Sequence, residues 1–100
     1  MTYSDRVKQS KTLIQSIQSL KHDEQLEVEY GQDRNGKPNY YKIKAYYSEY
    51  CKEMSYSIWD SFRGMNIDTI GKTTMKAYTY DMMNQRTTYT FPLYDIKLIK

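Results

Sequence analysis

The chain is poor in the residues that most often carry chemistry. It has one cysteine, Cys51, so no disulfide can form within it, and one histidine, His22. One Cys and one His leave too few ligands for a zinc site built within one chain. It also lacks any long apolar run, and its mean hydropathy is −0.89. That excludes a transmembrane helix and predicts a chain that does not enter a membrane. Met1 to Ser10 carries Asp5, Arg6 and Lys8 and has no apolar segment of the secretory kind. With the single thiol, this predicts a reducing, cytoplasmic setting.

There is no internal repeat, low-complexity tract or sign of a second domain. One hundred residues suit one domain, with a radius of gyration of roughly 13 Å. The hydrophobic fraction is 39%, and 12 of those residues are Tyr. A small aliphatic core supplemented by Tyr rings is the expectation.

Lys and Arg outnumber Asp and Glu 15 to 12, giving a net charge of +3. Residues 39–52 carry Lys42, Lys44 and Lys52 against Glu49, and residues 72–100 are also net basic. Residues 53–71 are net acidic. If the basic stretches are neighbouring strands, their charges add on one surface.

Residues 3–21 read as a helix. Val7, Leu13, Ile14, Ile17 and Leu20 keep a 3/4 spacing. Thr2 or Ser4 is its N-cap, with Asp5 completing a capping box from Thr2. The helix ends near Lys21 or His22. The period then changes to two. Leu26, Val28 and Tyr30 alternate with polar neighbours, which predicts a strand over 25–30. Asn35-Gly36 marks a turn. A second strand, 39–47, has Tyr41, Ile43, Ala45 and Tyr47 on one face and Tyr40, Lys42, Lys44 and Tyr46 on the other.

Further strands are expected at 54–58, 73–82, 86–91 and 96–99, with a tight turn at Leu93 to Asp95. Trp59 and Phe62 suit a short helical turn. The stretch from Gly64 to Gly71 reads as a long loop. The fold class predicted is α+β: an N-terminal helix on a strongly bent, five-stranded antiparallel sheet or SH3/Sm-like barrel. Val7, Ile14, Ile17, Leu26, Val28, Ile43, Phe91, Ile96 and Leu98 are its expected core. Exposed edge strands, Lys97 to Lys100 among them, predict a homodimer.

The strands also resemble a family. Leu26-Glu27-Val28-Glu29-Tyr30, Lys76-Ala77-Tyr78-Thr79-Tyr80-Asp81 and Thr90-Phe91-Pro92-Leu93-Tyr94-Asp95-Ile96 are similar to elements of WYL-type domains. The resemblance covers about 75 of the 100 residues and rests mostly on alternation. It implies a regulatory module that senses nucleic acid or nucleotides. Pro92 and Asp95 stand where that family carries basic residues for anionic ligands, and its Trp-Tyr-Leu triplet is absent.

No catalytic constellation is legible, and no cofactor is implied. His22 reads as a surface histidine and Cys51 as a half-exposed structural thiol. Asn66 to Thr73 is similar to a P-loop with Asn in place of its first Gly. A phosphate cradle needs a helix to follow, and Thr74 to Asp81 alternates like a strand. The Tyr-Lys interleaving remains. Tyr40, Lys42, Lys44 and Tyr46 project from one strand, and Lys76, Tyr78 and Tyr80 from another. Such rings and cations fit a protein partner. They also fit single-stranded nucleic acid, whose bases stack and whose phosphates pair, or a Tyr-rich core with a solvated polar face. The reading is a non-enzymatic binding protein: an inhibitor or adaptor of the kind phage and other mobile elements encode against host machinery, such as a defence system. The alternative is a WYL-like module binding nucleic acid or a nucleotide.

Overall fold

The computed structural model describes residues 2–61 and 63–99. Helix α1 (Tyr3–Gln18) starts at Thr2, whose hydroxyl accepts the Asp5 N–H at 3.2 Å. The Asp5 carboxylate accepts the Thr2 N–H in return. Both bonds satisfy donors that a helix start leaves orphaned. The helix stops three residues earlier than its spacing predicts. Ser19 caps it, and the chain reverses through Asp23, which has a left-handed backbone (φ 67°). His22 therefore lies in the turn. The buried stripe is Ser10, Leu13 and Ile17, followed by Leu20; Val7 and Ile14 flank it half-buried.

Seven strands follow: β1 (Gln25–Gln32), β2 (Pro38–Ser48), β3 (Glu53–Trp59), β4 (Gly64–Ile70), β5 (Thr74–Tyr80), β6 (Arg86–Pro92) and β7 (Lys97–Leu98). They form one antiparallel sheet in the order β6-β5-β4-β3-β2-β1-β7. The first six make a meander. A 3-10 turn, Leu93–Asp95, then carries the chain to the far edge, where β7 pairs with β1. β1 and β6 are five strand spacings apart, roughly 24 Å if the sheet were flat. Yet the rings of Tyr30 and Phe91 meet at 5.6 Å. The sheet is curled into a half-barrel, with α1 against the 3-10 turn on its concave side.

The expected α+β architecture is present, with seven strands in the sheet instead of five. Each of the six strand ranges expected from sequence holds a strand, and the one they omit is β4, read from sequence as a loop. Its alternation, Met65 then Ile67, is broken by one extra residue, Asp68, before Ile70 comes inward. The register shows a bulge there: Ile67 pairs with Ala77 and Thr69 with Lys76. A bulge resets the side-chain period and hides it from a strict period-two reading. The P-loop-like stretch is accordingly a hairpin, β4-turn-β5, with no helix. Of the pair expected in a helical turn, Trp59 ends β3, and Phe62 lies outside the described residues.

The buried core also differs. It holds Leu13, Ile17, Leu20, Val28, Ile43, Ala45, Ile58, Met65, Met75, Ala77, Phe91, Leu93 and Ile96. Tyr30, Tyr41 and Tyr56 pack around it half-buried, so the Tyr rings form the rim of the core. A buried phenol needs a partner for its hydroxyl, which a rim position supplies as water. Leu26 is half-buried, and Leu98 is 40% exposed because β7 is an outer strand. The radius of gyration is 14.0 Å.

Two hairpins close with the same device. The Asp33 carboxylate accepts the N–H groups of Asn35 and Lys37, and that of Asp81 accepts those of Met83 and Gln85. The fourth loop residue is left-handed in both: Gly36 at φ 81° and Asn84 at φ 63°. Asp and an αL-tolerant residue at this spacing are what such a turn requires.

Candidate binding face on the convex side of the sheet

The convex side carries the side chains that alternate with the core. On β2, Ile43 and Ala45 are buried, and Tyr40, Lys42, Lys44 and Tyr46 between and beyond them are exposed. On β5, Met75 and Ala77 are buried; Lys76 and Tyr80 are exposed and Tyr78 is half-buried. The register places both sets on one continuous surface. Lys44 pairs with Ser57, Ser57 with Asn66, and Asn66 with Tyr78. Three strand spacings, roughly 14 Å along the sheet, separate Lys44 from Tyr78. They form two clusters with a polar strip between.

The first cluster centres on Trp59. Its neighbours across the ladder are Lys42 and Gly64. The indole lies flat over Gly64: a Cβ built there would stand 2.5 Å from Cδ2 of the ring. The ring N–H donates to the Ser57 hydroxyl at 2.8 Å, and the Lys44 ammonium sits 5.0 Å from the ring centre. Two polar contacts and a glycine seat thus hold one aromatic plate in a single pose, with 40% of the residue still open to solvent. In front of it runs a groove of about 690 Å³ lined by Glu27, Tyr40, Lys42, Trp59, Asp60 and Ile99, among others. Ile99 comes from the end of the chain, its N–H donating to the Glu27 carbonyl at 2.9 Å.

Sequence reasoning missed Trp59 as a site residue. The signal was available, since Met54, Tyr56 and Ile58 alternate inward and so place Trp59 outward. Tyr41 also lines the groove, and its side chain packs half-buried against the core. Burial, then the charge of Asp60 and the Tyr30 phenol, hold its hydroxyl above the usual tyrosine pKa, with Arg63 acting the other way.

The second cluster is Tyr78, Tyr80 and Arg86. The two rings meet edge to face at 5.7 Å, and the Arg86 guanidinium lies 4.0 Å from the Tyr78 ring centre. Arg86 also pairs with Asp68 at 3.1 Å, so part of its charge is spent within the chain. Lys76 stands beside them opposite Thr69 and Thr90. Tyr46 is apart from both clusters, its ring 5.0 Å from that of His22.

The other residues weighed from sequence have structural surroundings. His22 Nδ1 accepts the Tyr47 N–H at 3.0 Å, which ties the ring to the end of β2. Cys51 is exposed in the β2–β3 turn, not half-exposed as expected. Among the described residues, no three of His, Cys, Asp and Glu come together as metal ligands, and no helix is long and apolar enough to cross a membrane. Comparison with protein-family models, curated proteins and solved structures gives no match to this chain.

Proposed function

We propose that this chain is a non-enzymatic binding protein, an inhibitor or adaptor that grips a protein partner with the convex face around Trp59. The observation that carries the reading is the seated indole. A ring held over a glycine, bonded at its N–H and covered by an ammonium, is ordered before any partner arrives. Preordered aromatic plates lose little entropy on binding and are frequent interface anchors. Trp59, Tyr40 and Tyr46 stand exposed on the outer face, where burial gives folding little reason to place large rings.

The charge around the groove favours a protein over a polyanion. Glu27 lines it together with Lys42 and Lys44, so both signs meet a ligand there. A phosphate backbone would be repelled by the Glu27 carboxylate. The alternative, a WYL-like module that binds nucleic acid or a nucleotide, draws on Lys76, Tyr78 and Tyr80 and on the resemblance noted above. It stands second because Asp68 partly neutralises Arg86 in that cluster. An inhibitor of host machinery encoded by a mobile element is the specific form of the first reading.

The test uses a partner captured from lysate after nuclease treatment, then titrated as a purified protein. Trp59→Ala and Tyr40→Ala should each weaken binding by at least about 2 kcal/mol while leaving the fold intact. Changing Lys42, Lys44 and Lys76 to Gln should barely alter the salt dependence. Tight binding of an oligothymidylate, with a salt slope that drops by nearly one unit per lost lysine, would replace this reading with the second.

A further inference from the structure

The sheet ends at β6, and its pairing with β5 shows which of its backbone groups are unused. Asp81 donates to the Gln85 carbonyl at 3.0 Å and Leu93 to the Thr73 carbonyl at 2.8 Å, marking the two ends of the ladder. Hydrogen-bonded pairs recur at every second residue between such marks. In the observed register they are Thr79 with Thr87, Ala77 with Tyr89 and Met75 with Phe91. The N–H and C=O groups of Arg86, Thr88 and Thr90 therefore point away from β5. Among the described residues, no strand lies beyond them. Pro92 is next in that series, the place where a missing N–H costs the sheet nothing.

The two edges of the sheet are unlike. β7 spans two residues and begins at Lys97. β6 presents Thr87-Thr88-Tyr89-Thr90-Phe91, with no charge, glycine or proline. Charged residues, proline, bulges and short length are the devices that keep edges from pairing, and the centre of β6 has none of them. Arg86, at its start, is held on the convex face by Asp68 and Tyr78.

We propose that two copies of this chain pair β6 against β6, antiparallel about a two-fold axis at Thr88, to form one continuous sheet. In this register each Thr88 meets its counterpart, and Arg86 meets Thr90 of the other copy. All three outward residues then find both a donor and an acceptor. Thr87 faces Tyr89, and no like charges oppose each other, so the side-chain pairs are of favourable kinds. Pro92 falls just outside the paired run and limits it. The self-complementary register selects a second copy as the occupant. Pairing β6 with β7 would be head-to-tail and open-ended, and β7 is too short for it; β6 with itself closes. The dimer brings two Tyr78–Tyr80 clusters to either side of the axis on one convex surface.

Sedimentation equilibrium of the full chain tests this. The expected mass rises from 12.0 kDa towards twice that value with concentration. Thr88→Pro removes an N–H that β5 does not use. It should keep the circular dichroism and melting of the parent and raise the dimer Kd by at least about tenfold, through the loss of the two hydrogen bonds exchanged between the Thr88 residues. Tyr89→Pro removes an N–H that β5 does use and should disrupt the fold itself. Thr88→Lys places two ammonium groups opposite each other and should weaken the dimer in a way that salt relieves. A parent chain that stays at monomer mass near millimolar concentration would overturn the proposal. So would a dimer that survives Thr88→Lys, or unfolding by Thr88→Pro, which would show that the Thr88 amide belongs to the β5 ladder.

Discussion

Replacing Gly64 by Ala is the sharpest probe of the seat beneath Trp59. The new methyl would overlap Cε2 of the indole and stand 2.5 Å from Cδ2 and 2.7 Å from Cε3. Gly64 does not have a left-handed backbone, so the strain falls on the ring. The ring can leave, because 40% of the residue is already exposed. Leaving breaks the bond to Ser57, which contributes about 0.5–1.5 kcal/mol. It also breaks the Lys44 contact, worth about 0.5–1 kcal/mol at an exposed site. Against these stands the lower entropy of the unfolded chain with Ala, about 0.4–1 kcal/mol. The net loss should be about 1 kcal/mol, a fall in Tm of roughly 4–8 °C for a domain of this size. Trp59 is the sole tryptophan, so its emission reports the ring directly and should shift to the red. In a Trp59→Ala background the same change should no longer destabilise, leaving only the gain of about 0.4–1 kcal/mol from the less free unfolded chain. Unchanged emission and melting in Gly64→Ala would refute the seated pose and, with it, the preordered anchor.

Ile17 and Ile43 are both fully buried, so Ile17→Ala and Ile43→Ala should each cost about 2–5 kcal/mol in urea unfolding; an effect under about 1 kcal/mol at both would contradict the core packing. The Ser10 hydroxyl is buried without a hydrogen-bond partner, so Ser10→Ala should raise stability by about 1 kcal/mol, since it removes an unsatisfied group and suits a helix interior. Because Tyr41 is held above the usual phenol pKa, the fold keeps its proton longer than the unfolded chain does. Its contribution is present below about pH 10 and is lost as pH rises through the folded value. Tyr41→Phe should flatten that part of the alkaline melting profile, and an unchanged profile would show that Tyr41 is not the group responsible.

Local physics is what the amino-acid order determined by itself. The Thr2–Asp5 capping box, the apolar spacing of α1 and the Asn35-Gly36 turn depend on contacts a few residues apart. So does the alternation that marks β1, β2, β3 and β5, and all are visible in the string. The alternation of β2 alone placed Tyr40, Lys42, Lys44 and Tyr46 outside. Three features required the folded chain. Whether Met65, Ile67 and Ile70 share a face depends on the bulge at Asp68, and a bulge exists only against a partner strand. The pose of Trp59 depends on Gly64 arriving beside it across the β3–β4 ladder, a neighbour that register and not sequence distance supplies. The place of the Tyr rings depends on how tightly the sheet curls. Composition counts rings and alternation sets Tyr40 and Tyr46 outside, but only the curl decides that Tyr30 and Tyr41 reach the rim of the core.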